Sequence, residues 1–325
     1  MKATFKAIAA SALALSAASP AFAQDITIGG VVFQSDTFMQ TFQDGLSAAA
    51  EEAGVTLILA NSETDLAKES NILSDLIVRD IDALIINTFA ADGSVAAVSQ
   101  VVGEGIPVIC ANTCLNEGAR DGVYSFLQTQ NIDLGLKTGV AAAEYINANM
   151  DGKAVIGILN CDTFPEACLP RKEGFLQALT DAGVEFEVVA DQTGFIADQA
   201  LPIAEAMLQA NPGINILWAA NEGGTTAHVL AVQTAGLGDE IKVFGTDMSG
   251  QHAQFLQADN GILQAVTGQA PFQIGYDALY LALEVIAGND VQADLIIPTI
   301  LFARGDDAAI DTFVETDGRA VFAEE

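Results

Sequence analysis

The stretch Ile26-Thr-Ile-Gly-Gly-Val-Val-Phe33 is a nearly continuous apolar run of strand length, bounded on both sides by polar residues. A run of this kind is typical of a strand that is buried on both faces of a parallel sheet. Directly after it, Phe38, Phe42 and Leu46 recur at helical spacing, and Gly54 is predicted to end that helix. The stretch therefore begins a strand–helix unit.

The same alternation continues along the chain as far as residue 287. Strands are predicted at residues 26–33, 55–59, 83–86, 106–110, 124–127, 154–159, 185–190, 214–219, 241–245 and 263–267. Amphipathic helices are predicted between them, and a second series begins near residue 136. Two successive series predict an α/β protein with two doubly wound parallel-sheet lobes. No Gly/Ser-rich linker separates them, so short connections are expected.

Residues 1–23 have the composition of a cleaved secretory signal. Lys2 and Lys6 precede an apolar segment at residues 7–18, and Ala21 and Ala23 provide small residues before the expected cleavage after Ala23. No lipobox-type cysteine is found near this position, so a lipid anchor is not expected. Cleavage would leave 302 of the 325 residues, which favours two lobes over one core.

The chain is strongly acidic, with 43 Asp and Glu against 12 Lys and Arg and a formal net charge of −31. Such a surface repels phosphate backbones, which argues against nucleic-acid binding. Two interpretations of the acidity remain open. It is either an acidic face for a basic partner or a general property suited to a salty habitat, where salt screens self-repulsion.

The four cysteines occur as two local pairs, Cys110 with Cys114 and Cys161 with Cys168. Export favours disulfides over free thiols. Free or mixed thiols and a metal site remain as alternatives, although the usual zinc spacing is tighter and neither His228 nor His252 is near a cysteine.

Polar side chains follow nearly every predicted strand, at the edge where parallel sheets bind ligands. These positions are Gln34, Asp36, Asn61, Asn87, Asn112, Gln130, Asn131, Asn160, Asp162, Asp191, Asn221, Glu222, Asp247 and Gln269. Asn and Asp also favour turns, so one such position means little, but the repetition in two lobes indicates a ligand site. Amides and carboxylates suit a ligand that is dense in hydroxyl groups.

Only one basic residue, Arg171, comes near a strand end, which disfavours a strongly anionic ligand. Phe38, Phe164 and Phe195 could stack on the C–H face of a sugar, whereas Trp218 lies inside an apolar run and is expected in the core. The sequence contains no Gly-x-Ser-x-Gly, His-Glu-x-x-His, dinucleotide or P-loop motif. An enzyme is therefore not expected, and neither a cofactor nor a catalytic residue is predicted.

Several short segments carry a resemblance that covers essentially the whole chain after residue 23. They are Asp36-Thr-Phe-Met39, Phe42-Gln-Asp-Gly45, Ala83-Leu-Ile-Ile-Asn87, Gly105-Ile-Pro-Val-Ile109, Arg171-Lys-Glu-Gly-Phe175, Ala220-Asn-Glu222, Gly245-Thr-Asp247 and Gln269-Ala-Pro271. In this order they resemble the ribose-type (type I) periplasmic sugar-binding proteins of ABC importers.

The resemblance implies a set of ligand-binding residues in a cleft between the lobes. By position, this set is Asp36, Phe38, Asn112, Gln130, Phe164, Arg171, Phe195, Asn221, Asp247 and Gln269. Asp36 stands where the family often has Asn. The family often has Asp-Arg after the fourth strand, whereas this chain has Asn112-Thr113 between two cysteines. This departure makes an ordinary pyranose less expected and leaves a polyol, a cyclitol or a small polar non-sugar open.

The resemblance also implies the architecture and the mechanism. The first lobe would comprise residues 24–129 plus 270–298 and the second residues 130–269 plus 299–325, hinged about three crossover segments. A monomer in the periplasm would capture a monosaccharide, polyol or cyclitol, close around it and deliver it to an ABC permease in the inner membrane. Presentation of the ligand to a membrane sensor or chemoreceptor is the alternative. Disulfides within each lobe would leave the hinge free.

Overall fold

The computed structural model describes residues 26–162, 164–316 and 318–319, with Pro165 described by its backbone alone. The predicted signal segment and its cleavage site lie outside these residues. The described strands are β1 (Thr27–Val32), β2 (Thr56–Asn61), β3 (Ala83–Ile86), β4 (Val108–Ala111), β5 (Val123–Thr129), β6 (Lys153–Asn160), β7 (Glu185–Thr193), β8 (Ile216–Ala219), β9 (Lys242–Thr246), β10 (Leu263–Gly268), β11 (Asp294–Ile297) and β12 (Ile300–Ala303). The helices are α1 (Thr37–Ala53), α2 (Leu66–Val78), α3 (Val95–Gly103), α4 (Asn131–Asn149), α5 (Pro165–Asp181), α6 (Ala197–Ala210), α7 (Glu222–Ala235), α8 (Gly250–Gln257), α9 (Pro271–Ile286) and α10 (Asp307–Thr316).

The described strands form two sheets with equivalent strand orders. The first is β11-β5-β4-β3-β1-β2 and the second is β12-β10-β9-β8-β6-β7. The described pairings of the first sheet are all parallel, and in the second sheet β12 alone runs antiparallel, against β10. The predicted fold class, two doubly wound parallel-sheet lobes, is confirmed.

Helices cover both faces of each sheet, which explains the nearly continuous apolar strands. In the first lobe, α1 and α9 pack on one face and α2 and α3 on the other. In the second lobe, α4 and α5 cover one face and α6, α7 and α8 the other. Trp218 is fully buried, as predicted for a core residue, and its ring stacks on Phe175 with the centroids 4.9 Å apart.

The two glycines of β1 allow the first sheet to accept bulky leucines. A Cβ added at Gly30 would lie 2.9 Å from Leu59 Cδ2 and 3.0 Å from Leu46 Cδ1. At Gly29, the nearest atom would be Leu76 Cδ1 at 3.0 Å. A larger residue at either position would force these side chains out of close packing.

In the first lobe, α1 and α9 cross so closely that two glycines are required. A Cβ added at Gly45 would overlap the carbonyl oxygen of Phe272, and one added at Gly275 would overlap that of Phe42. The obstacle in each case is backbone, which cannot move aside as a flexible side chain could.

The second lobe repeats this crossing between α4 and α5. A Cβ at Gly135 would overlap the carbonyl oxygen of Arg171, and one at Gly174 would overlap that of Ile132. The crossing therefore determines the position of the backbone that carries Arg171.

The chain passes between the two sheets at three places. It leaves β5 for α4, leaves β10 for α9, and passes from β11 of the first sheet to β12 of the second. We propose that these passages form the hinge, with lobe boundaries after residues 129, 269 and 298.

Both cysteine pairs of the chain are local disulfides. Cys110 is bonded to Cys114 and Cys161 to Cys168, with Cα–Cα distances of 5.3 and 5.5 Å. The prediction of local pairing is confirmed. Because each bond lies within one lobe, neither bond connects the lobes across the cleft.

Candidate functional site

The cleft between the lobes lies at the carboxyl ends of the parallel strands, and it contains a cavity of about 50 Å³. The first lobe contributes Phe33, Gln34, Asp36, Phe38, Met39, Asn112 and Thr113 to its wall. The second contributes Cys161, Phe164, Ala167, Cys168, Arg171, Phe195, Asn221, Asp247 and Gln269. A ligand in this cavity would contact both lobes.

Nine of the ten predicted ligand-binding residues line this cavity. They are Asp36, Phe38, Asn112, Phe164, Arg171, Phe195, Asn221, Asp247 and Gln269. The structure does not bring Gln130 to the described wall. It is an exposed residue at the N-terminal cap of α4, where the crossover begins, and its neighbour Asn131 faces Arg171 instead.

Arg171 and Asp247 form a buried ion pair in the wall of the cavity. Arg171 Nη1 donates to Asp247 Oδ2 at 3.2 Å and to the carbonyl oxygen of Ala220 at 2.8 Å, and Nε donates to Asn131 Oδ1 at 2.9 Å. Gln269 Nε2 donates to the other carboxylate oxygen of Asp247 at 2.6 Å. The multiple hydrogen bonds compensate for the desolvation of both charges and hold them in one geometry.

Asp247 adopts the left-handed backbone conformation, with φ of 66°. His252 supports this turn because its Nδ1 lies 2.9 Å from the carbonyl oxygen of Asp247 and its Nε2 lies 3.0 Å from Thr226 Oγ1. Burial lowers the pKa of His252 to about 4, so the ring is neutral at physiological pH. His252 thus supports the backbone that presents Asp247 to the cavity.

The side chain of Asn221 lines the cavity and also makes two hydrogen bonds to backbone atoms. Its Oδ1 accepts from the Gly224 amide at 3.1 Å and caps α7, and its Nδ2 donates to the carbonyl oxygen of Phe195 at 2.8 Å. Asn221 therefore positions the loop that carries the ring of Phe195.

Asp36 caps α1 at the opposite wall. Its carboxylate accepts from the Met39 amide at 2.9 Å and from the side-chain amide of Gln34. The pKa of Asp36 is raised from 3.8 to about 6, mainly by burial and also by the negative charge of Asp247, against the lowering effect of the Met39 hydrogen bond.

A larger cavity of about 470 Å³ lies along the cleft beside the first and shares Phe33, Gln34, Asp36 and Phe195 with it. Glu222, the first residue of α7, lines this larger cavity and is only 8% exposed. Burial and the charge of Asp36 raise the pKa of Glu222 from 4.5 to about 7, although Thr37 and the Phe38 amide hydrogen-bond to it. Glu222 is one of the polar residues at the strand ends, but it is not in the predicted ligand set.

Four phenyl rings from the two lobes meet in the cleft. The phenyl cluster comprises Phe33 and Phe89 of the first lobe and Phe164 and Phe195 of the second. Phe33 stacks on Phe164 with the centroids 5.0 Å apart, and Phe89 meets Phe164 edge-on at 6.0 Å. The sequence predicted Phe164 and Phe195 but missed Phe33 and Phe89.

The disulfides stiffen both walls of the cleft. Cys161 and Cys168 line the small cavity and enclose Phe164, while Cys110 and Cys114 enclose Asn112 and Thr113 in the facing loop. Within the described part of the chain, no group of three or more His, Cys, Asp or Glu is placed to hold a metal ion. None of the described helices is both long and apolar enough to cross a bilayer.

We expect the Asp36→Asn/Glu222→Gln double variant to be more stable than the parent protein at pH 8, by a few degrees in melting temperature. Both carboxyl groups have a raised pKa in the folded state, so folding binds protons between about pH 4 and 7 and the parent loses stability as the pH rises through this window. The difference between variant and parent should therefore shrink as the pH falls from 8 to 4. Melting curves at five pH values measure it.

The buried His228 and His252 also contribute to the pH dependence of stability, because they titrate in the unfolded chain in part of the same pH range. This contribution is the same in parent and variant, so it cancels in the difference between their melting temperatures. A difference in melting temperature that stays constant with pH would contradict the assignment of raised pKa values to Asp36 and Glu222.

Comparison with known proteins gives one family throughout. A family model described as a periplasmic binding protein domain matches residues 31–290. The ABC transporter periplasmic-binding protein YphF of Escherichia coli is 30% identical over 299 residues, covering 91% of each chain. The ribose import binding protein RbsB of Escherichia coli is 30% identical over 295 residues, which are 90% of this chain and 95% of RbsB. These relatives are solute-binding proteins and not enzymes, as predicted for this chain.

Solved structures show the same fold. A solute-binding protein of Bacillus halodurans with bound myo-inositol has a TM-score of 0.79 at 23% identity, covering 89% of this chain and 97% of that one. A protein of Mycobacterium smegmatis in complex with β-D-fucofuranose has a TM-score of 0.83 at 23% identity, covering 91% of this chain and 97% of that one.

Proposed function

Because this chain belongs to the periplasmic binding protein domain family, among the sugar or polyol binding proteins of ABC transporters, we propose that it captures a sugar or polyol in the cleft and delivers it to an ABC permease. The observation that supports this most directly is the composition of the small cavity. Its polar side chains, Arg171, Asp247, Gln269 and Asn112, offer donors and acceptors for hydroxyl groups, and the phenyl cluster offers apolar faces for C–H groups.

The relatives support a hydroxyl-rich ligand. RbsB is named a ribose import binding protein, and the two solved structures hold myo-inositol and β-D-fucofuranose. The replacement of the family's Asp-Arg pair by Asn112-Thr113 makes a common pyranose less expected and leaves a polyol, a cyclitol or a small polar non-sugar open.

Capture proceeds by closure of the two lobes. The ring contacts of Phe164 with Phe33 and Phe89 join opposite lobes, so they exist only when the cleft is closed. A ligand that touches both walls binds the closed form more tightly and shifts the population toward it. The closed form would then dock on the permease. The site of action would be the periplasm, after cleavage behind Ala23.

Thermal melting of the mature protein against pentoses, hexoses, polyols and cyclitols tests the proposal. A ligand at about 100 times its Kd adds roughly 2.7 kcal/mol to the free energy of unfolding, which raises the melting temperature by a few degrees. We expect at least one of these hydroxyl compounds to produce this shift. The absence of a shift with every compound, while a ligand of another chemical class does produce one, would overturn the sugar or polyol assignment.

A further inference from the structure

The cleft contains more acidic than basic groups. Asp36, Glu222 and Asp247 face it with carboxyl groups, and Arg171 is the basic residue among the described lining residues of the small cavity. The described lining of the larger cavity adds Glu63 and Asp198 and contains neither Lys nor Arg. A ligand in the cleft therefore meets an excess of negative charge.

Arg171 does not neutralise this excess. Its guanidinium is bonded to Asp247, to a backbone carbonyl oxygen and to Asn131. Among the described residues, neither Asp36 nor Glu222 forms an ion pair with a basic side chain. With Arg171 matched to Asp247, two carboxyl groups remain without a cationic partner.

These two carboxyl groups lie on opposite lobes. Asp36 precedes α1 of the first lobe, and Glu222 begins α7 of the second. Closure brings them close enough for the charge of Asp36 to act on Glu222, in a part of the cleft where Glu222 is more than nine-tenths buried. Burying two like charges together is unfavourable unless protons or a cation compensate.

The small cavity beside them presents unused hydrogen-bonding groups on buried side chains. The hydrogen bonds described for Arg171 involve Nε and Nη1, so Nη2 has no partner among them. The hydrogen bond described for Gln269 involves Nε2, so Oε1 has no partner there. Both residues are at least nine-tenths buried and line the cavity, so Nη2 is available to an acceptor and Oε1 to a donor of a ligand.

We propose that the ligand is a compact polyhydroxylated amine, such as an amino sugar, an amino polyol or an aminocyclitol. Its ammonium group lies between Asp36 and Glu222, where the two cavities meet, and its hydroxyl groups reach Arg171 and Gln269. The inference rests on the proposed function, since it concerns the same cleft and the same class of hydroxyl-rich ligand. An ammonium donates three hydrogen bonds and supplies the missing positive charge without proton uptake.

Isothermal titration of the mature protein with matched pairs tests the inference. The pairs are sorbitol with 1-amino-1-deoxysorbitol and D-glucose with D-glucosamine, measured at pH 7.5 in two buffers of different ionisation enthalpy. We expect the amine of at least one pair to bind about tenfold or more tightly than its neutral partner. A neutral partner should bind with partial proton uptake, visible as a buffer-dependent heat, because closure favours the protonated form of Glu222, whereas the amine should bind with little or none.

The variants Asp36→Asn and Glu222→Gln locate the ammonium. Asn is also a good N-cap, so α1 keeps its start. Each variant should reduce the preference for the amine, the ratio of its affinity to that of the neutral partner, by about fivefold or more. Glu51→Gln, which removes an exposed acid at the far end of α1, is the control and should leave the preference as it is.

Equal or tighter binding of the neutral partner in the pairs that bind would overturn the inference and leave the proposed function in place. A preference for the amine that survives in both variants would also overturn it. No binding of any pair, together with no melting shift across the neutral panel, would remove the proposed function and the inference with it.

Discussion

Arg171→Ala will bind the ligand with a Kd that is raised about 30-fold to several thousand-fold. The substitution removes a guanidinium that faces the cavity and leaves the buried carboxylate of Asp247 without its cation. Removing one partner of a buried charge pair costs about 2–5 kcal/mol in binding, and each 1.4 kcal/mol corresponds to a factor of about ten. The free protein should be destabilised too, by about 3–5 kcal/mol. Titration calorimetry and urea unfolding measure the two effects separately.

Two further variants make this result interpretable. Arg171→Lys keeps the charge but cannot donate in the planar fork geometry, so we expect an intermediate affinity. Arg79→Ala removes an exposed arginine whose contact with Asp75 is a surface ion pair, and it should change the stability by less than about 0.5 kcal/mol. Ligand affinity within threefold of the parent in Arg171→Ala would show that Arg171 does not contact the ligand.

Gly135→Ala will lose about 3 kcal/mol or more of unfolding free energy. The new methyl group would overlap the carbonyl oxygen of Arg171, so α4 and α5 cannot keep their present separation. Because the displaced backbone carries Arg171, ligand affinity should fall together with stability. Urea unfolding and a ligand titration at low denaturant measure the two losses.

Gly103→Ala is the matched control, since Gly103 ends α3 and a Cβ there meets nothing within 4 Å. Alanine is the better helix former, so this variant should be neutral or slightly stabilised, by about 1 kcal/mol at most. If Gly135→Ala unfolds within 1 kcal/mol of the parent protein, the close crossing of α4 and α5 is not required for stability.

The fold was predictable because its signal is local. Strands such as β3 are uninterrupted apolar runs, and the helix α1 has both an N-cap at Asp36 and a left-handed glycine at Gly54. The elements after residue 287 were not predicted. β11 and β12 have four residues each and pair on one side only, at the edges of their sheets, so they have no long apolar run.

The lining of the small cavity was predictable where a residue's position in its own strand–helix unit decides where it lies. Asp247 follows β9 directly and Asn221 lies two residues beyond β8, and the sheet brings those strand ends together. Phe89 lies three residues beyond β3, and its contact with Phe164 depends on how the lobes close, which no local pattern contains. Glu222 had a local signal, but its importance comes from Asp36, which lies far away in the sequence and in the other lobe.

The two lobes have equivalent strand orders, but they differ in how early during synthesis the chain contains all the segments of each core. The second lobe takes β6 to β10 and its crossing helix α4 from one continuous segment, residues 131–268. The first lobe needs α9, whose Gly275 packs against α1, and α9 is completed only at Ile286. Until then, the face of the first sheet that α9 covers stays open to solvent, and contacts of this sequence separation form slowly. The amino-terminal half of the chain therefore cannot complete its core until nearly the whole polypeptide has been made, a delay that suits a chain expected to cross a membrane before it folds.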